Sequence, residues 1–462
     1  MTEVKTRIES DTMGEIAVEA DKYWGAQTQR SLLYFKPTTD VMPRKLIKAL
    51  LIVKIAAAKA NAKLGILDKS LAEAIVQAGE EALNGKLDSH FPLSMWQTGS
   101  GTQSNMNVNE VLSNRAIEIL GGVIGSKKPV HPNDHVNLGQ SSNDSFPTAM
   151  NIASVIAIHG QLLPVIDEFI AKMEKKKEEF KDIIKTGRTH MQDATPITLG
   201  QEFSGYLFQL KRAKKRIKVA LEEVHYLAQG GTAVGTGLNS IPGFESLFVK
   251  EVNDITNLTF KSSTNKFYSL ATHDDLVNLS GALNSLAVAL TKIANDIRLM
   301  GSGPRTGIAE LQLPENEPGS SIMPGKVNPT QVEALTMGCA QVMACHYAVS
   351  LGGMQGHLEL NVYKPLIIYN ILKAIDILST TMEGFTRYCL EGIEPDVKRI
   401  NYLMRRSLML VTALTKHIGY DKAAQIAKVA HKQYITLKEA ALELGYVSEE
   451  DFDKWVDPKD MV

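Results

Sequence analysis

The 462-residue chain is predicted to be mainly α-helical, with three domains arranged around a central bundle of five long helices. Three observations predict this. The run Leu276, Leu279, Leu283, Leu286, Leu290, Ile293, Ile297 and Met300 alternates spacings of three and four, the heptad seam of a coiled-coil-like bundle. Similar apolar faces recur at Ile152, Val155, Ile156, His159, Leu162, Leu163 and Ile166, and again at Leu199, Phe203, Tyr206, Leu210, Ile217, Leu221 and Val224. Further helical patterns cover 329–351 and 365–385, and the pattern changes character at both ends of the chain.

Residues 1–138 read as a mixed N-terminal domain. Turn-rich segments precede amphipathic helices around 43–64 and 69–83. Residues 139–395 hold the long helices. Residues 396–462 form a small C-terminal helical domain, with turns at Ile418-Gly419-Tyr420-Asp421 and Leu444-Gly445-Tyr446. So much continuous apolar seam points to burial against other subunits.

Composition narrows the function classes. Apolar residues make up 44% and charged residues 22%, ordinary for a soluble globular protein. The 50 basic and 51 acidic side chains nearly cancel, so no bulk field favours nucleic acid or a membrane surface. The short C-terminal helix pairs could imitate a DNA reader, but Asp451, Asp453, Asp457 and Asp460 oppose phosphate binding. The apolar run Leu46 to Ala62 is interrupted by Lys48, Lys54 and Lys59, so it does not read as a bilayer span. Early acids (Glu3, Glu9, Asp11) argue against a signal peptide. Three cysteines imply a reduced, cytoplasmic setting, and none lies in the Gly-rich C-x-x-C loop of an iron–sulfur site.

Polar stretches between the helices carry the chemistry. The central one is Gly319 to Glu333. Its first half, Gly319-Ser320-Ser321-Ile322-Met323-Pro324-Gly325, has the composition of a mobile loop exposing N–H groups and hydroxyls. Its second half is expected to open a helix, with Asn328 as cap, Pro329 at the first position and Gln331 closing a capping box. Lys326 would then sit beside a helix N-terminus, a place that favours an anion. Ser100-Gly101-Thr102 offers two hydroxyls and a glycine that admits a ligand to the backbone. Ser141-Ser142-Asn143-Asp144 precedes a long apolar helix. In Gly187 to Pro196, Thr195 and Pro196 are expected to start the next helix, leaving His190 on the loop before it.

Two further segments invite readings that their residues disfavour. His131 and His135 are four apart, but Pro132, Asn133 and Asp134 disfavour one regular helix, so no metal site is read there. GGTAVGTG (230–237) lacks the Lys-Ser/Thr ending of a phosphate loop, which leaves tight backbone packing near the site.

GSSIMPGKVNP, with TQVEALTM after it, resembles the signature loop of the fumarase/aspartase superfamily of lyases, and most closely its iron-independent fumarases. DTMGEI, DKYWGAQTQRS, WQTGSGTQSNMNVNEV, HPND, SSND, GRTHMQDATP, GGTAVGTG, NKF, PENEPG and ELNVYKP are similar to family segments in the same order, over nearly the whole chain. The resemblance implies a homotetramer built through the bundle, with each active site shared between subunits. It implies reversible trans hydration of fumarate to L-malate, a step of the tricarboxylic acid cycle, with no metal or organic cofactor.

Residue by residue, the resemblance makes His190, Ser320 and Glu333 catalytic, with Ser320 as base and His190 paired with Glu333. It assigns substrate contacts to Ser100, Gly101, Thr102, Ser141, Ser142, Asn143, Thr189, Ser321, Lys326, Val327 and Asn328. It places a second dicarboxylate site at His131, Pro132, Asn133 and Asp134, with Lys128 as the cation. His135 and Gly139 depart from the family's common Asp and Ser there. Elimination of water needs a base for a weakly acidic C–H and stabilisation of the charge that develops, which this inventory can supply. Aspartate ammonia-lyase performs the same elimination with an amine leaving. A non-catalytic structural relative is the alternative from another class.

Overall fold

The structure is a computed structural model, and it describes residues 5–36 and 39–462. The chain opens with a hairpin, β1 (Thr6–Asp11) and β2 (Gly14–Glu19), followed by α1 (Ala26–Tyr34), α2 (Arg44–Lys63), α3 (Lys69–Leu83) and α4 (Thr102–Ile119). The long helix Ser142–Glu179 comprises α5 (Ser142–Ala157), a π-turn at Ile158–Leu162 and α6 (Leu163–Glu179). A second hairpin follows, β3 (Ile184–Thr189) and β4 (Gln192–Thr198), leading into α7 (Leu199–Val224). Next come α8 (Phe244–Thr256), α9 (Lys266–Ala271), α10 (Asp274–Met300), α11 (Thr330–Gly353) and α12 (Lys364–Tyr388). The C-terminal segment holds α13 (Val397–Arg406), α14 (Thr415–Ile418), α15 (Tyr420–Gln433), α16 (Leu437–Glu443) and α17 (Glu449–Trp455). The fold is mainly α, as the periodicity predicts.

The seam of α10 is real: Leu276, Leu279, Leu283, Leu286, Leu290, Ile293 and Ile297 are at most 1% exposed and Met300 is 4% exposed. Fully burying one such leucine contributes about 2 kcal/mol. An exposed pair such as Lys292–Asp296 on the same helix is worth only about 0.5 kcal/mol. Apolar burial, not surface pairing, therefore holds these helices.

The chain divides into two compact units. The first comprises Met1–Pro164, Lys215–Ala287 and Ala340–Ser379. Within it α2 packs against α3, α5 and α8, while α4 packs against α3 and α5. Glu110 of α4 is buried and accepts from the backbone N–H of Gly25, Gln27 and Thr28, which fixes the start of α1. The second unit comprises Val165–Lys214, Val288–Cys339 and Thr380–Val462. There α13 packs on β3, and Lys185 and Arg188 of that strand pair with the buried Glu310. Leu410, Leu414, Ile426, Ala440, Ala441 and Phe452 form a local core among α15–α17.

Two expectations need correction. Thr195 and Pro196 lie in β4, and the helix begins at Leu199. Pro196 pairs with Thr186 across a two-stranded hairpin, where a missing N–H can face outward. Gly187 sits at the accompanying bulge, and a Cβ there would come within 2.5 Å of Thr195 O. Asn328 and Pro329 both precede α11, which begins at Thr330, and the Asn328 side-chain amide instead donates to Gly319 O at 2.6 Å.

Among the described residues, four helices are long and apolar enough, by length and composition, to cross a membrane. For Ser142–Glu179, α10 and α12, more than half of the most apolar stretch is buried within the chain. For α11 only 33% is buried, and Met337, Tyr347 and Leu351 on it are exposed.

Candidate active site

In the first unit, a run of hydroxyls joins two helix starts. Gly101 precedes α4 with φ 78°, and a Cβ there would fall 2.2 Å from the Phe146 ring, so the turn requires glycine. Ser100 Oγ lies 2.8 Å from Thr102 Oγ1, which lies 2.8 Å from Ser142 Oγ. Ser141 caps α5 in a capping box with Asp144, and Asn143 Nδ2 donates to Ala233 O at 2.9 Å. Asp144 accepts from the backbone N–H of Ser141, Gly230 and Thr232 at 3.0, 3.1 and 2.8 Å. The glycine-rich segment is thus a backbone-packing element beside the Ser141–Asn143 cap. Behind Ser100, the N–H of Lys364 donates to Gly99 O at 3.1 Å. This arrangement presents short hydroxyl and amide groups suited to a carboxylate.

Burial governs the ionisable groups beneath this surface. It pushes the Asp144 carboxyl up to about 6, against its backbone hydrogen bonds and the nearby Lys54 ammonium. It pushes Lys54 down to about 7, with Asp144 opposing. Both side chains are fully enclosed.

In the second unit, His190 and Met191 form the two-residue turn of the β3–β4 hairpin, at φ 56° and 61°. Positive φ at both central residues is the hairpin geometry that matches strand twist. It puts Thr189 and His190 at an exposed tip. The signature loop is tied at its base, where Gly319 N donates to Lys326 O at 2.8 Å and Asn328 clasps Gly319 O. Ser320 Oγ accepts from the N–H groups of Ile322 and Met323 at 3.2 and 3.0 Å. Ser321, Ile322, Lys326 and Val327 are exposed. Gly325 to Pro329 line a cavity of about 690 Å³ that also carries Arg298, Glu315 and Asp396. Glu333 is exposed in the first turn of α11. Among the described residues, neither His190 nor Glu333 has an ion pair within the chain.

His131 begins a separate cluster. Its Nδ1 accepts from the N–H of Asn133 and Asp134, and its own N–H donates to His135 Nδ1 at 2.8 Å. Burial, assisted by Lys127 and His135 against Asp134, holds the His131 imidazole below its usual range. His131, Pro132 and Asn133 line a cavity of about 340 Å³ whose lysine is Lys127, while Lys128 points out to solvent. Sequence reasoning missed Lys127, Lys54 and the clamp made by Asp144. The sequence of α2 offers no signal for Lys54, because Lys48, Lys54 and Lys59 are each flanked on both sides by apolar residues.

Residues 14–344 match the family model described as lyase, and residues 410–462 match the one described as fumarase C C-terminus. The fold and these matches define a lyase. The class II fumarate hydratase of Brucella suis is 59% identical over 457 residues, covering 99% of this chain and 99% of its own length. The mitochondrial fumarate hydratase of Homo sapiens is 59% identical over 458 residues, covering 99% of this chain and 90% of its own. The crystal structure of recombinant class II fumarase from Schistosoma mansoni superposes with a TM-score of 0.97 at 46% identity, covering 99% of each chain. The chain belongs to the class II fumarate hydratase family of hydro-lyases.

Proposed function

We propose that this chain catalyses the reversible trans hydration of fumarate to L-malate, with Ser320 as the base that removes the C–H proton of malate. The carrying observation is the pair of N–H groups from Ile322 and Met323 directed at Ser320 Oγ. A free serine is far too weak a base; two fixed donors stabilise the alkoxide that it must become. Lys326 and Asn328, with Ser321 and Val327 beside them, meet the negative charge that develops on the substrate carboxylate as the proton leaves. Ser100, Gly101, Thr102, Ser141, Ser142 and Asn143 bind and orient the dicarboxylate, and Thr189 adds a contact. His190 and Glu333 act on the departing water, the carboxylate holding the imidazole's tautomer.

The working unit in this proposal is a homotetramer with shared active sites. It is supported by the apolar surface that α11 leaves uncovered and by the exposure of His190 and Glu333, which have no ion pair among the described residues. Three domains (1–138, 139–395 and 396–462) and a cytoplasmic setting belong to the same reading, supported by the local core of the C-terminal segment and by three buried free thiols. A second dicarboxylate site at His131–Asp134 also belongs to it, with Lys127 replacing Lys128 as the facing cation.

The test is a direct assay on fumarate, L-malate and L-aspartate, with and without chelator. Interconversion of fumarate and malate that survives chelation is expected. Ammonia release from aspartate without malate turnover would reassign the reaction. Loss of activity with chelator, recovered by iron, would contradict the cofactor-free reading.

A further inference from the structure

Lys54 lies in the middle of α2 among Leu50, Leu51, Val53, Ile55, Ala57 and Ala58, with no exposed surface. An ammonium in such a place is costly, and a methionine of similar length would pack there without that cost. Its hydrogen bonds indicate what the charge does. Lys54 Nζ donates to Asn137 Oδ1 and to Gln140 Oε1, both at 2.9 Å. Asn137 Oδ1 also accepts from Asn105 and Asn109 of α4 at 3.1 and 3.0 Å, and Asn137 Nδ2 donates to Gln140 O. Asn61, two turns along α2, donates to Leu138 O at 3.0 Å. Residues 137–140 are therefore gripped from below by two helices, immediately before the Ser141 cap. On the far side of that cap, Asp144 holds Ser141, Gly230 and Thr232 through their N–H groups and lies within electrostatic reach of Lys54.

We propose that Lys54 is a positioning residue. Opposite Asp144, it fixes residues 137–141 and so sets the Ser141–Asn143 cap and the Thr102–Ser142 hydroxyl contact against a substrate carboxylate. The assignment rests on the dicarboxylate reading of that surface. Neither Lys54 nor Asp144 touches substrate. Lys54 acts through Asn137 and Gln140, and Asp144 acts through the backbone that it clamps.

The test compares the wild-type protein with Lys54→Met, Asp144→Asn, the double variant and the milder Gln140→Ala. Succinate, an unreactive dicarboxylate, is titrated by calorimetry, and kcat and KM for fumarate are measured alongside Tm. Lys54→Met should weaken succinate binding and raise KM by about tenfold, less than the roughly hundredfold that a full misplacement of about 1 Å at a site can cost. The fall in kcat should be smaller. The effects of Lys54→Met and Asp144→Asn should be clearly less than multiplicative in the double variant, because both loosen one cap. Gln140→Ala should shift succinate binding in the same direction, and it decides the question if Lys54→Met does not fold. A lower Tm with unchanged KM and succinate affinity would make Lys54 merely structural and overturn the proposal. Wild-type protein that binds succinate but does not hydrate fumarate would sink the hydratase reading and leave this test intact. Absence of succinate binding by the wild type would overturn the proposal, and absence of both succinate binding and fumarate hydration would overturn the hydratase reading with it.

Discussion

At Ser320 the chemistry depends on one oxygen and the two N–H groups that it faces. Ser320→Ala removes the oxygen and leaves the carboxylate-binding groups in place. Turnover should therefore fall by orders of magnitude while succinate affinity stays within a few-fold. Retention of most of the turnover would remove Ser320 from the mechanism. Lys364 gives a different residue-scale prediction. It is buried, donates to Asn361 O at 2.5 Å, and burial pushes it down to about 7. Its folded-state value lies below the unfolded one, so folding releases a proton between about pH 7 and the ordinary lysine range. Stability attributable to this group therefore rises with pH across that window. Lys364→Met should be more stable relative to wild type at pH 7 than at pH 10, read as the difference in denaturation midpoint. A pH-independent difference would contradict the burial account. The exposed loop that carries Ser320 and Lys326 was legible in the sequence because Gly, Ser and Pro announce a loop directly. Lys54 was not. Lys48, Lys54 and Lys59 all interrupt one apolar run, and nothing in sequence separates a lysine that reaches water from one held by buried amides.

Among the elements, long helices were the easiest to read and short ones near the site the hardest. The heptad seam of α10 and the face of α7 follow from spacing alone, because one wrong face would expose every leucine. The β3–β4 hairpin was misread because Pro196 suits either the first turn of a helix or an outward-facing strand position. What decided the matter was Gly187, whose missing Cβ lets the bulge close against Thr195 O. The same scale governs the signature loop, which is anchored by Asn328 on Gly319 but leaves Ile322 83% exposed. Such a segment can close over a ligand. Saturating succinate should slow limited proteolysis between residues 320 and 325 several-fold, followed by mass spectrometry of the fragments. An unchanged cleavage rate would mean that the loop does not close over dicarboxylate.

For the whole molecule, the spacing of apolar residues was enough to read the mainly α class of architecture. Apolar residues continue around α11 on the side that the chain itself does not cover, as expected for a helix buried by other copies. Each chain carries His190 at a hairpin tip and Ser320 in a loop, and in the proposed site the two come from different subunits. Co-refolding tests this most directly. His190→Asn and Ser320→Ala, each inactive alone, are unfolded together in equal amounts, refolded, and assayed for fumarate hydration. Each restored site needs its histidine from one variant and its serine from the other, so random assembly predicts one half times one half, roughly a quarter, of wild-type activity. Activity no higher than that of the separately refolded parents, with mixed oligomers demonstrated in the same sample, would contradict the shared site.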